Sequence, residues 1–331
     1  MEATDPVHPL ISRDYALQTP SIAEFGKTIQ QWAAERLPGG IVTGYPQTGK
    51  TTAIIHWAGR FLRETEGRTL PIIVMTAPPQ GLTSRGFYQH LLQAGKLGPW
   101  QSGTVGQLLP RLQAGIVKRI VSHDSRYMVF LIDEANNFNL KYWQLLKDLE
   151  NQLLMYEQLR LTFIAVGSSE LKGARRTLYT AAECALTARF MVRQFEFRGV
   201  LNVEELRHIL SGYDITRWPA PDGLTYTEYF LPLAYSEGFR MAQYAQTLWT
   251  VFMSCMPAMR GQETVEIPMV FIVILAHHIL RNLCNLELAV RTSVAHLTAL
   301  LKASGFREHM EVHLKLQRHE LDAVAQPVMP A

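Results

Sequence analysis

Cysteine is scarce. Cys184, Cys255 and Cys284 are the only 3 in 331 residues, and they lie far apart. Such spacing supports neither a disulfide framework nor a zinc site and fits a reducing compartment. Charge is sparse too: 18% of residues are Asp, Glu, Lys or Arg, and the net charge is +3. Bulk charge therefore neither demands nor excludes nucleic acid. Long apolar runs are missing. The most apolar stretch, Ile267 to Leu275, contains Pro268 and meets His277, His278 and Arg281 too soon to span a bilayer, so it is expected to be a buried helix. The stretch Met1-Glu-Ala-Thr-Asp-Pro6 lacks the basic and apolar regions of a signal peptide, and a cytoplasmic location is expected. There is no internal repeat and no low-complexity tract. With 47% apolar residues the chain is globular, with room for one large domain and a smaller one.

What is present centres on Gly44-Tyr45-Pro46-Gln47-Thr48-Gly49-Lys50-Thr51, which fits G-x-x-x-x-G-K-[ST]. Ile41-Val42 precedes it, and Thr52 to Leu62 follows with apolar residues at helical spacing. Strand, glycine loop and helix form the context this phosphate-binding loop needs. Glycines let successive N–H groups point inward at phosphate oxygens, and the helix adds its positive end. Lys50 is expected to reach the β and γ phosphates, and Thr51 to offer its hydroxyl to Mg²⁺.

In chain order, residues 1–20 read as an extended arm punctuated by Pro6, Pro9 and Pro20. Ser21-Ile-Ala-Glu24 reads as a capping box opening a helix that is expected to run to about Arg36. After the glycine loop, apolar runs at Pro71–Thr76, Tyr127–Ile132 and Leu161–Val166 read as strands, with a short fifth strand over Phe190–Phe197. Helices alternate with them, which predicts a mostly parallel sheet covered on both faces. Beyond Gly199 only helical patterns remain, and Pro232 interrupts one of them. The expected domains are an arm (1–20), an α/β core (21–199), a helical lid and C-terminal domain (200–325) and a tail (326–331).

Asp133-Glu134 ends the Tyr127 run, read as a strand beside the glycine-loop strand. Ligands bind at the carboxyl ends of such strands. Asp133 would hold the Mg²⁺ shell, and Glu134 would orient the attacking water as general base. Gly167-Ser168-Ser169 should end the neighbouring strand, where a serine can bond the water or the phosphate; a helix cap is the plainer reading of either one. Arg189 is a candidate arginine finger or a surface ion pair. Arg240, in Glu237-Gly-Phe-Arg240, could reach nucleotide from the lid. His309 and His313 stand one turn apart but lack the H-E-x-x-H order, so a solvated helix face is expected there. Cys255, Cys284, Trp143, Trp249 and Phe252 read as core.

The succession Gly44–Thr51, Leu131-Ile-Asp-Glu-Ala-Asn136, Ile164-Ala-Val-Gly-Ser168, Thr187-Ala-Arg189-Phe190 and Gly238-Phe-Arg240 resembles an AAA+ ATPase. The Asp-Glu-Ala-Asn form and Ser84-Arg85-Gly-Phe-Tyr-Gln-His-Leu-Leu resemble most the transposition regulators TnsC, TniB and IstB, in their compact CRISPR-associated form. The resemblance implies an α/β AAA+ core followed by a helical lid. Lys50 and Thr51 would be the Walker A pair, Asp133 and Glu134 the Walker B pair, and Ser168 or Ser169 sensor 1. Arg240 would be sensor 2. Arg189, or else Arg175, Arg176 or Arg193, would be a finger supplied in trans. ATP and Mg²⁺ would be the cofactors. The protein would form a ring, a hexamer or heptamer, or a filament on duplex DNA, joining a TniQ/TnsD-like target selector to TnsA/TnsB-like transposase subunits. Arg85, Thr104, Lys141 and Lys147 would touch DNA. A replication loader or initiator shares every nucleotide motif, and a signalling ATPase that binds protein but not DNA is a further alternative.

Overall fold

The computed structural model describes residues 7–57, 69–180, 183–259, 263–283 and 286–325. Two compact units organise the chain: Ser21–Phe197, and Met1–Pro20 together with Arg198–Ala331. The described chain opens in the second unit with a short helix α1 (Pro9–Ser12). The first unit then runs α2 (Pro20–Ala34), β1 (Gly39–Thr43), α3 (Lys50–Trp57), β2 (Ile72–Thr76), α4 (Ser84–Gly95) and α5 (Val105–Val121). It continues with β3 (Tyr127–Asp133), α6 (Leu140–Glu157), β4 (Arg160–Gly167), α7 (Glu170–Thr180), α8 (Cys184–Phe190) and β5 (Gln194–Glu196).

The five strands stand in the order β2-β3-β4-β1-β5, and every pairing is parallel. Every residue of β1 and β3 is buried, and all of β4 but Arg160. Successive side chains leave opposite faces of a strand. Ile41, Met128, Phe130, Ile132, Phe163 and Ala165 accordingly pack with residues of α4, α5 and α6. Their neighbours Val42, Val129, Leu131, Ile164 and Val166 pack with α2 and α3. This is why the runs are apolar throughout.

Two expectations are corrected. The strand carrying Asp133 is not beside the glycine-loop strand, because β4 lies between them, with Leu131 paired to Ile164 and Val42 to Val166. Apolar runs announce strands but not their order. The fifth strand is only Gln194–Glu196, and Phe190 ends α8. Its ring lies 5.5 Å from Trp143 and 5.7 Å from Phe163, so an apolar helix end had the look of a strand start.

The second unit continues with α9 (Val203–Ile215), a hairpin of β6 (Arg217–Trp218) and β7 (Leu224–Thr225), α10 (Tyr226–Phe230), α11 (Pro232–Ser236) and α12 (Ala245–Cys255). Then come α13 (Met269–Arg281), α14 (Leu288–Arg291), α15 (Val294–Ala303) and α16 (Phe306–Ala325). Pro232 divides one expected helix into two, taking the first position of α11 where its missing N–H costs nothing. The sequence reading missed the hairpin, although Pro219, Pro221 and Asp222-Gly223 between its strands mark a turn. Cys284, residues 58–62 and the tail 326–331 lie outside the described residues. No helix among the described residues is long and apolar enough to cross a membrane.

The arm is not free where described. His8 lies among Trp218, Tyr226, Tyr229 and Phe230, with ring centroids 4.4–4.9 Å away. Leu10 and Leu17 join the helical core. The Tyr15 hydroxyl is 2.9 Å from that of Tyr213 and 2.8 Å from His277 Nε2. His313 is also buried, contrary to the solvated face expected, and its Nε2 stands 3.2 Å from Gln317. Burial, and then the charges of Arg13, Arg281 and His278, push the His277 pKa down to about 4; burial, and then His309, do the same for His313.

Removing the ring in Phe163→Ala should cost about 3–5 kcal/mol, read from the urea midpoint, because Phe163 is fully buried in the middle of the sheet. The histidines set a pH dependence. Below pH 6.5 the unfolded chain takes up protons that folded His277 and His313 refuse until about pH 4. Stability should thus be full above pH 6.5 and fall as pH drops toward 4, and a His277→Gln, His313→Gln double variant should flatten the slope in urea titrations run across that range.

Candidate nucleotide-binding site

The glycine loop connects the end of β1 to α3 through a backbone few residues tolerate. Gly49 has φ +106° and Gln47 φ +64°. Gly44 has no room for a side chain, since a Cβ there would lie 2.2 Å from the Phe197 carbonyl oxygen. Thr48 Oγ1 donates to the Tyr45 carbonyl at 2.9 Å, which closes the loop. Lys50 Nζ donates to the carbonyls of Gly44 (2.9 Å) and Tyr45 (2.7 Å), so the ammonium is held against the glycine loop. Tyr45 and Thr48 are buried, whereas Pro46, Gln47, Thr51 and Thr52 are exposed.

Thr51 Oγ1 donates to Asp133 Oδ2 at 2.6 Å. This bond joins the first turn of α3 to the end of β3. The other carboxylate oxygen, Oδ1, accepts from the Glu134 N–H at 3.0 Å. Glu134 takes the left-handed conformation, φ +55°, and its side chain is exposed. Next along the sheet, the Gly167 carbonyl accepts from Gly44 N at 3.2 Å, and Ser168 N donates to Asn136 Oδ1 at 3.3 Å. Ser168 Oγ is buried with no hydrogen-bond partner, so it makes no helix cap. A buried hydroxyl left unpaired is costly unless something else satisfies it. The carboxyl ends of β1, β3 and β4 thus bring the glycine loop, an ammonium, a hydroxyl–carboxylate pair and an unpaired hydroxyl to one edge of the sheet.

Residues 38–174 match the family model of the AAA domain. Among solved structures, one of the Drosophila ORC bound to DNA is similar with a TM-score of 0.51 and 13% identity, over 84% of this chain and 65% of that one. The Aeropyrum pernix ORC1 protein in complex with DNA gives a TM-score of 0.42 and 15% identity, over 89% of this chain and 86% of that one. No curated protein matches the sequence. The fold is that of the AAA+ P-loop NTPases.

Within the AAA+ fold the remaining expected residues fall in different places. Arg189 is in the last turn of α8, where Nη1 donates to Glu150 Oε2 at 2.9 Å and Asn151 Oδ1 at 2.6 Å. Burial raises the Glu150 pKa, and Arg189 pulls it back. A Cβ on Gly39 would lie 3.0 Å from Phe190 Cα, so this corner adjoins the start of β1. The glycine loop follows the end of that strand, about 16 Å away at 3.3 Å per residue. Arg189 is therefore at the opposite edge of the sheet from its own loop. Of the other arginines, Arg193 is 3.7 Å from Glu35 and Arg175 lies on α7, while the Arg176 side chain is outside the description. In the helical unit, Arg240 stacks 3.6 Å over the Tyr235 ring and donates to the Tyr235 and Phe239 carbonyls.

Arg85 and Lys141 are exposed in the first turns of α4 and α6, and Lys147 is half-buried. Thr104 caps α5, its N–H donating to Gln107 Oε1 at 2.9 Å. Sequence reasoning missed Asn136, although it stands in the quoted Asp-Glu-Ala-Asn run, and missed that Gly167 touches both neighbouring loops. Gly44→Ala should drive the loop off Phe197 and weaken Mg·ATP binding at least about 10-fold in a fluorescent-nucleotide titration, as one displaced anchor costs about 1.4 kcal/mol or more.

Proposed function

We propose that the protein is an ATP-binding and ATP-hydrolysing switch that assembles on duplex DNA. The observation that carries this is the Thr51–Asp133 bond at 2.6 Å, which pairs the hydroxyl and the carboxylate a Mg²⁺ ion would use. The site fits nucleotide in other respects: the loop is closed to side chains at Gly44, and Lys50 could exchange two neutral carbonyls for charged phosphate oxygens. When bound, Mg²⁺ neutralises charge on the β and γ phosphates. Loop N–H groups and Lys50 would hold the phosphates. Thr51 and Asp133 would hold the ion, Glu134 would orient water and take its proton, and Ser168 Oγ would supply the hydroxyl that senses the γ-phosphate.

Arg189 cannot serve its own loop across the sheet, so a finger role belongs to a neighbouring subunit. ATP bound between subunits would complete the interface, and hydrolysis would loosen it. The sequence resemblance favours a regulator of transposition that joins target selector to transposase. The likeness to Drosophila ORC bound to DNA favours a second reading, a replication initiator-like ATPase. Arg85 and Lys141 are the exposed cations offered to phosphates, where contacts position without reading sequence.

Negative-stain microscopy with random duplex DNA tests the shared reading. Rings or filaments should require both DNA and a non-hydrolysable ATP analogue, dissolve at raised salt and vanish in Lys50→Ala. Monomers under every condition overturn it. Stimulation of ATP turnover by a transposase rather than by a helicase separates the two readings.

A further inference from the structure

We propose that Asn136 is the positioning residue that aims Glu134, an inference that rests on the ATPase reading above. The Glu134 side chain has no hydrogen-bond or ion-pair partner among the described residues, so the backbone of its turn sets its direction. That backbone is unusual: Glu134 is left-handed at φ +55°, and a single 3-10 turn over Ala135–Asn137 follows, with Asn137 N donating to the Glu134 carbonyl at 3.0 Å. A residue without a glycine's freedom holds such a conformation only where its surroundings over-determine it.

Asn136 supplies that constraint. Its Oδ1 accepts from Ser168 N at 3.3 Å and lies 2.9 Å from where a Cβ on Gly167 would stand; Asn136 N lies 3.1 Å from the same point. Gly167 is therefore the hub of the sheet edge. Its carbonyl takes the Gly44 N–H of the glycine loop at 3.2 Å, and its open face receives the Asn136 carboxamide. Through this one side chain the turn bearing Glu134 is referenced to Ser168 and to the phosphate loop together. A general base is effective only within hydrogen-bond reach of its proton, and a displacement of about 1 Å can cost about 100-fold in rate.

The test is steady-state ATP hydrolysis with Mg²⁺ and DNA, beside the Kd of a fluorescent ATP analogue. Asn136→Ala should lower kcat about 10- to 100-fold while the analogue Kd moves less than about 2-fold. Asn136→Asp keeps an acceptor for Ser168 N and should recover most of kcat at saturating ATP. Gly167→Ala should reproduce the Asn136→Ala defect, because its methyl takes the place of the carboxamide, and the two changes together should be far from additive. Gly167→Ala also carries the test should Asn136→Ala fail to fold. An Asn136→Ala protein that turns over like an active wild type overturns the proposal alone, and so does equal loss of kcat and nucleotide affinity. A wild type that hydrolyses nothing overturns the ATPase reading and takes the proposal with it.

Discussion

Parallel pairing of the strands is the constraint on which the candidate site depends. Because all five run the same way, their carboxyl ends meet at one edge, and every loop that leaves them starts there. Buried on both faces, the strands are mostly apolar, and the groups that could meet a ligand gather where they end: the glycine loop after β1, Asp133 of β3 and Ser168 after β4. The edge is narrow enough that short bonds link neighbours: Gly44 to Gly167, Ser168 to Asn136, and Thr51 to Asp133 across the width of β4.

The same geometry explains why one chain does not contain a whole catalytic centre on the proposed reading. Arg189 sits where strands begin, anchored by Glu150 and Asn151, and the phosphate loop sits where they end. Glu150 is buried, and removing charge from a buried pair is expensive. The ion pair and the Asn151 bond thus hold the Arg189 side chain at this corner.

The helical unit rests on different physics. Its core is held by Leu206, Leu248, Phe252, Leu275, Phe306 and their neighbours, into which the N-terminal arm inserts Leu10 and Leu17. Buried imidazoles at His277 and His313 stay neutral because burial penalises their charged form. Sequence reading assigned His313 to a solvated face, since a histidine one turn from another on a helix carries no mark of burial. The arm was equally illegible: prolines suggested an extended segment, and only the aromatic side chains gathered around His8 show where it docks.

The sequence by itself determined the glycine loop, the apolar strands, the acidic end of β3, the alternation of helix and strand, and the mainly helical character of the chain after Gly199, though not the β6–β7 hairpin within it. Each of these is local: a glycine at a tight turn, a run of apolar residues, a proline at a break. Tertiary structure alone decided what depends on distance through space. It inserted β4 between β1, which leads into the glycine loop, and β3, which ends at Asp133, and left Ser168 Oγ buried and unpaired. It set Asn136 against Gly167, and placed Arg189 at the far edge of the sheet. Strand order and side-chain contacts follow from how the apolar faces pack together, and no residue spacing along the chain encodes them.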